Sequence, residues 1–216
     1  MTTSIERLAR LLQLASPALP VGAYSYSGGL EAAIEAGWVK DAPAAERWIG
    51  EVLEHPVGRM EAPILARMIE EPDRVRKWNA LFLASRETAE LRAETVQMGY
   101  SLNRLLPELG VAPLELEEPA FPAAFAQAAR AWGIEPRAAL TAYLWAWLES
   151  QVMAAVKTVP LGQTEGQKML LALGARLPAV VAAALALEED ALGNFAPGLA
   201  LASMRHETQY SRLFRS

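Results

Sequence analysis

The chain contains no cysteine. Disulfides, thiolate metal sites and cysteine nucleophiles are therefore excluded, and the composition fits a reducing compartment. Histidine is scarce too: His55 and His206 are the only two, and neither falls in an HExxH or comparable ligand pattern. Positive charge is in deficit. The net charge of −5 argues against a general nucleic-acid binder, which wants a basic face. Long uninterrupted apolar runs are missing as well. The longest charge-free ones, Ala138–Leu148 and Leu177–Leu187, reach about half of the ~20 residues that a spanning helix needs. The opening MTTSIERLAR places Glu6 among scattered apolar residues and has no secretion-signal core. The expectation is a cytoplasmic protein with no membrane segment.

Sustained period-two alternation is also lacking, as are Val/Ile-rich runs bounded by hairpin turns. What is present is helical spacing. Ile5, Leu8, Leu11, Leu12 and Ala15 recur at three and four, and so do Ile64, Leu65, Met68 and Ile69. Punctuation agrees. Gly37 sits where a C′ glycine ends a helix, and Asp41 precedes Ala42-Pro43 as an N-cap. Gly133 closes one segment and Pro136 opens the next. Residues 136–159 are apolar nearly all round, which predicts a central buried helix. The expected fold is all-α: one domain, residues 1–216, as a bundle of about nine or ten helices around that central one.

Catalytic and metal chemistry find little support. Gly22, Gly28 and Gly29 do not have phosphate-loop spacing, and no strand precedes them. Ser25 and Ser27 lie outside any G-x-S-x-G elbow, and helix capping suits Ser27 better. His55 precedes Pro56 at an expected helix end, where a cation suits the dipole. Lys157 follows Ala154-Ala155-Val156 near the end of the central helix. It reads as a helix cap, as a stem buried with its head turned outward, or as a functional lysine.

Two segments are unusual. SPALPVGAYSYSGGLE, residues 16–31, combines stiffening prolines with glycines and the pair Tyr24 and Tyr26. It suits either an interface or a rigid turn. SMRHETQYSRLFRS, residues 203–216, carries Arg205, Arg212 and Arg215 beside His206, Tyr210, Leu213 and Phe214 in an otherwise acidic chain. Arginine mixed with large rings is the composition of interface hot spots. The expectation is a partner-docking tail over 204–216, mobile alone; a tail docked on its own domain stays open.

At these segments the sequence resembles the UreF family of urease accessory proteins. Arg86-Glu87-Thr88, Met98-Gly99-Tyr100-Ser101-Leu102, Ala154-Ala155-Val156-Lys157 and Pro160-Leu161-Gly162-Gln163 with Gln167 continue the likeness in family order. Gly28 departs from it, where a bulkier polar residue such as Gln is expected.

The resemblance implies an all-α homodimer that is not an enzyme and carries no cofactor. It implies a scaffold that binds a UreD/UreH-like accessory protein and recruits the GTPase UreG, so that nickel enters apo-urease. It further implies partner contacts at Tyr24, Tyr26, Lys157, Gln163, Gln167, Arg205, His206, Tyr210, Arg212, Leu213, Phe214 and Arg215. Two other functions compete: a direct nickel carrier with His206 as a ligand at a dimer interface, and a helical enzyme whose pocket is invisible in sequence.

Overall fold

The computed structural model describes residues 4–216, so the first three residues of the expected domain lie outside the described residues. Eleven α-helices follow one another without a strand among the described residues. They are α1 (Ile5–Ala15), α2 (Leu30–Glu35), α3 (Ala42–Val52), α4 (Ala62–Glu70), α5 (Val75–Ala84) and α6 (Ala89–Leu105), then α7 (Phe121–Ala131), α8 (Pro136–Thr158), α9 (Gln163–Gly174), α10 (Leu177–Ala186) and α11 (Pro197–His206). The all-α class is as expected. Two pairs run on as longer rods, α3 into α4 and α9 into α10.

Local chemistry explains the boundaries. Asp41 accepts from Ala44 N at 2.9 Å at the start of α3, and Thr88 accepts from Leu91 N at 3.2 Å at the start of α6. Each supplies a partner for an otherwise unpaired N-terminal donor. Gly37 and Gly133 take positive φ, 73° and 62°, just past helix ends, where glycine carries no Cβ penalty.

One boundary differs from expectation. The helix does not end at His55-Pro56. Leu53–Glu61 forms a π-helical segment joining α3 to α4, with Pro56 inside it. Proline has no N–H and its ring crowds the preceding turn, so a wider turn lets the rod pass. Gly58 permits it, because a Cβ there would meet Leu53 O at 2.8 Å.

The helix α8 packs against α1, α2, α3, α4, α7, α9 and α10. Its N-terminal half, with Leu140, Tyr143 and Leu144, enters a large apolar core shared with α4, α6 and α7. Its C-terminal half, with Leu148, Val152 and Ala155, enters a second core built from α2, α3, α9 and Phe214. Gly99 sets the approach of α6 to the chain entering α7: a Cβ there would lie 2.0 Å from Pro119 O.

Gln163–Ala186 is long and apolar enough, by length and composition, to cross a membrane. Charge-free runs in the sequence do not reveal it, because Glu165, Lys168 and Arg176 interrupt the stretch. Leu173, Leu177, Val181 and Ala184 on this stretch are buried in the two cores. Arg176 pairs with Glu54 at 3.2 Å at the break between α9 and α10.

Candidate functional site: a folded-back tail beside a cavity

The C-terminal segment is docked on its own chain, not left free. Its seat begins at the end of α11. Ser203 meets Thr88 hydroxyl to hydroxyl at 2.7 Å. Glu207 accepts from Ala89 N at 2.9 Å at the N-terminus of α6, where a carboxylate complements the helix dipole. His206 is fully buried, with Nδ1 2.6 Å from Glu90 Oε2 and Nε2 3.3 Å from Glu31 Oε2. Arg212 Nη1 donates to the other oxygen of Glu90 at 2.6 Å.

The last four residues are then held in register. Leu213 N and Phe214 N donate to the Glu31 carboxylate at 2.7 and 2.9 Å. Hydrogen bonds to a charged acceptor contribute about 1.5–3 kcal/mol each. Arg215 N donates to Ser25 O at 2.8 Å. Ser216 Oγ donates to Glu94 Oε2 at 2.6 Å, and Ser216 O accepts from Ser27 Oγ at 2.5 Å. Ser27 also accepts from Glu31 N at 3.2 Å, so it caps α2 while fastening the tail. Phe214 is buried in the second core, and Lys157 Nζ lies 5.7 Å from its ring centroid. That distance is within cation–π range.

The expected contact residues therefore divide. The structure brings Lys157, His206, Arg212, Leu213, Phe214 and Arg215 together with the loop bearing Tyr24 and Tyr26. Tyr24, Tyr210 and Leu213 are exposed. Tyr26 is buried and donates to Gln97 Oε1 at 2.6 Å. Burial, reinforced by the charge of Glu94, pushes its phenol up against the opposing Arg215. In the chain by itself the Phe214 and His206 side chains are used internally, the first in the second core and the second between two carboxylates. For the same reason His206 is not a free nickel ligand here, since both ring nitrogens already face carboxylates. No cluster of three or more metal-ligating side chains occurs among the described residues. Arg205 stands apart with its guanidinium 4.8 Å from the Trp38 ring. Gln163 and Gln167 are exposed on α9.

Behind the tail lies a partly open cavity of about 120 Å³. Its floor is polar. Tyr143 donates to Glu61 Oε1, and Arg86 Nη1 stands 3.4 Å from Glu61 Oε2. Burial first, and then the Glu61 charge, hold the Tyr143 phenol well above its ordinary range. Glu94 on the cavity wall is pushed up to about 7, chiefly by desolvation, against the hydrogen bond from Ser216. Glu61, Arg86 and Tyr143 form a buried polar network, in which Arg86 Nε alone is left without a hydrogen-bond partner among the described residues.

Glu31, Glu90 and Glu94 do not stand out as site residues in the sequence. A signal exists: Glu90, Glu94 and Gln97 are spaced at four and three along α6, a polar stripe beside buried Leu91 and Met98.

Comparison with known proteins closes the question of kinship. The UreF family model matches residues 39–174. The urease accessory protein UreF of Azoarcus sp. (strain BH72) is 58% identical over 97% of this chain and 95% of its own length. The protein of the same name from Dechloromonas aromatica (strain RCB) is 54% identical over 100% of both chains. That of Methylobacillus flagellatus is 50% identical over 97% of both. These matches reach well beyond residues 39–174 and take in the loop, the central helix and the tail; the chain belongs to the UreF family.

Proposed function

We propose that this protein is a cytoplasmic scaffold in urease maturation. It binds a UreD/UreH-like accessory protein, recruits the GTPase UreG and presents both to apo-urease, so that nickel is inserted without chemistry by the scaffold itself. It does so as a homodimer over a single folded domain, 1–216, whose last residues, 204–216, form the docking element. The observation that carries this reading is the tail. Its seat gathers exposed Tyr210 and Leu213, the charged rim of Lys157, Arg212 and Arg215, and exposed Tyr24 into one neighbourhood through the contacts of Glu31, Glu90 and Ser25. Large rings with arginines on a partly dry support have the make-up of a hot spot. The names of the relatives supply the urease context.

Urease activation tests the reading. A strain carrying Lys157→Ala together with Leu213→Asp is expected to lose most urease activity while the folded protein accumulates normally. Full activity in that strain would overturn the proposal.

A further inference from the structure

We infer that the cavity behind the tail is a binding site for a small organic cation with a compact apolar body, held by Glu94 and Gln151. Gln151 is 6% exposed, yet its side-chain amide makes no hydrogen bond among the described residues. Its Nε2 faces the loop, 3.5 Å from where a Cβ of Gly28 would stand. An amide that faces a cavity without a protein partner is completed by water or by a guest. Glu94 also lines the cavity. Its Oε2 takes Ser216 Oγ, and no second hydrogen bond to the carboxyl occurs among the described residues. Two unfinished polar groups thus share one chamber.

The sign of the guest follows from the lining. Glu61, Glu87, Glu94 and Glu149 face the cavity, against Arg86 alone. Arg86 is engaged by Glu61 at 3.4 Å and by the Phe82 ring at 4.3 Å, with only its Nε left without an acceptor among the described residues. The excess of carboxylates over the single guanidinium disfavours an anion, whereas an ammonium or amidinium group would donate to Glu94 and to the Gln151 carbonyl and leave Arg86 to Glu61. The body of the guest would lie on apolar walls such as Leu14, Val57, Met98 and Phe121. The chamber is of the order of one ring: it is about 120 Å³ and partly open, against roughly 150 Å³ for an enclosed cavity that holds benzene. A bound cation favours the charged carboxylate, so binding near neutral pH releases a proton from Glu94. The other titratable groups facing the chamber are Glu61, Arg86, Glu87, Glu149, Tyr26 and Tyr143.

Calorimetric titration of the full chain near pH 7 with benzamidine, benzoate, capped arginine and nickel chloride tests the site. Benzamidine is expected to bind one per chain with net proton release, read from the dependence of the heat on the buffer, and benzoate is expected not to bind. Glu94→Gln and Gln151→Leu are each expected to weaken benzamidine about tenfold, and Glu94→Gln to abolish proton release. Absence of benzamidine binding, equal binding of benzoate, or unchanged affinity in Glu94→Gln would overturn the assignment. So would nickel or capped arginine competing for the chamber more strongly than benzamidine. If either variant fails to fold, the comparison of benzamidine with benzoate on the unaltered chain still decides.

Discussion

The ammonium of Lys157 lies 5.7 Å from the ring centroid of Phe214, which joins the end of the central helix α8 to the end of the chain. The pairing converts two sequence blocks separated by more than fifty residues into one surface. It also gives Lys157 a role that neither a cap nor a solvated stem would supply. The lysine covers a buried ring and leaves its charge at the rim.

Glu31 is the hub of the tail. Replacing it with Ala removes the acceptor for Leu213 N and Phe214 N and one of the two carboxylates facing His206. The tail is expected to open by about 3 kcal/mol or more of local stability. Hydrogen exchange at the amides of residues 213 and 214 measures this, with acceleration expected there and not at Leu144 in the core.

Phe214→Ala acts on the same seat by another route. It empties a place in the second core and removes the ring under Lys157. Full core truncations of Phe cost about 3–5 kcal/mol, but here release of the tail limits the loss to its local share. Limited proteolysis is expected to clip the chain after Arg212 or Arg215 faster, with little change in the melting temperature of the body.

Gly99→Ala is expected to damage the fold itself. Its Cβ would fall 2.0 Å from Pro119 O, a backbone atom that no rotamer can move aside. Overpacking costs about 1–3 kcal/mol, and more where the obstacle is backbone. Thermal unfolding is expected to drop accordingly, while Gly110→Ala, with open space but a left-handed φ of 73°, loses less.

Glu94 makes stability fall as pH rises. Its folded value is pushed up from 4.5 to about 7, so below pH 4.5 both states hold the proton and nothing is lost. Between 4.5 and 7 the unfolded chain ionises first, binds fewer protons and gains. The loss is complete above the folded value and is on the order of 3 kcal/mol. Glu94→Gln is expected to flatten this slope, as read by urea unfolding across that range.

The helical class, the caps at Asp41 and Gly37 and the extent of α8 are legible in the sequence because each depends on local spacing and local chemistry. Pro56 reads as a helix end because the remedy, a π segment, depends on Gly58 and on packing that no local rule states. The tail residues are legible by composition, but the direction of Phe214 and His206 is not. It is set by Glu31 and Glu90, which approach from more than a hundred residues away. The cavity is invisible for the same reason: Gln151 and Tyr143 lie on a face that reads as plain helix, and Glu94 on a polar stripe.

Co-purification with size measurement tests the scaffold claim most directly. The full chain and a chain ending at Thr208 are each expressed with UreD/UreH-like and UreG-like proteins. The account predicts one complex containing all three proteins with the full chain, and loss of both partners with the shortened one, although the latter still folds as a helical protein. Equal recovery of both partners by the shortened chain would contradict it.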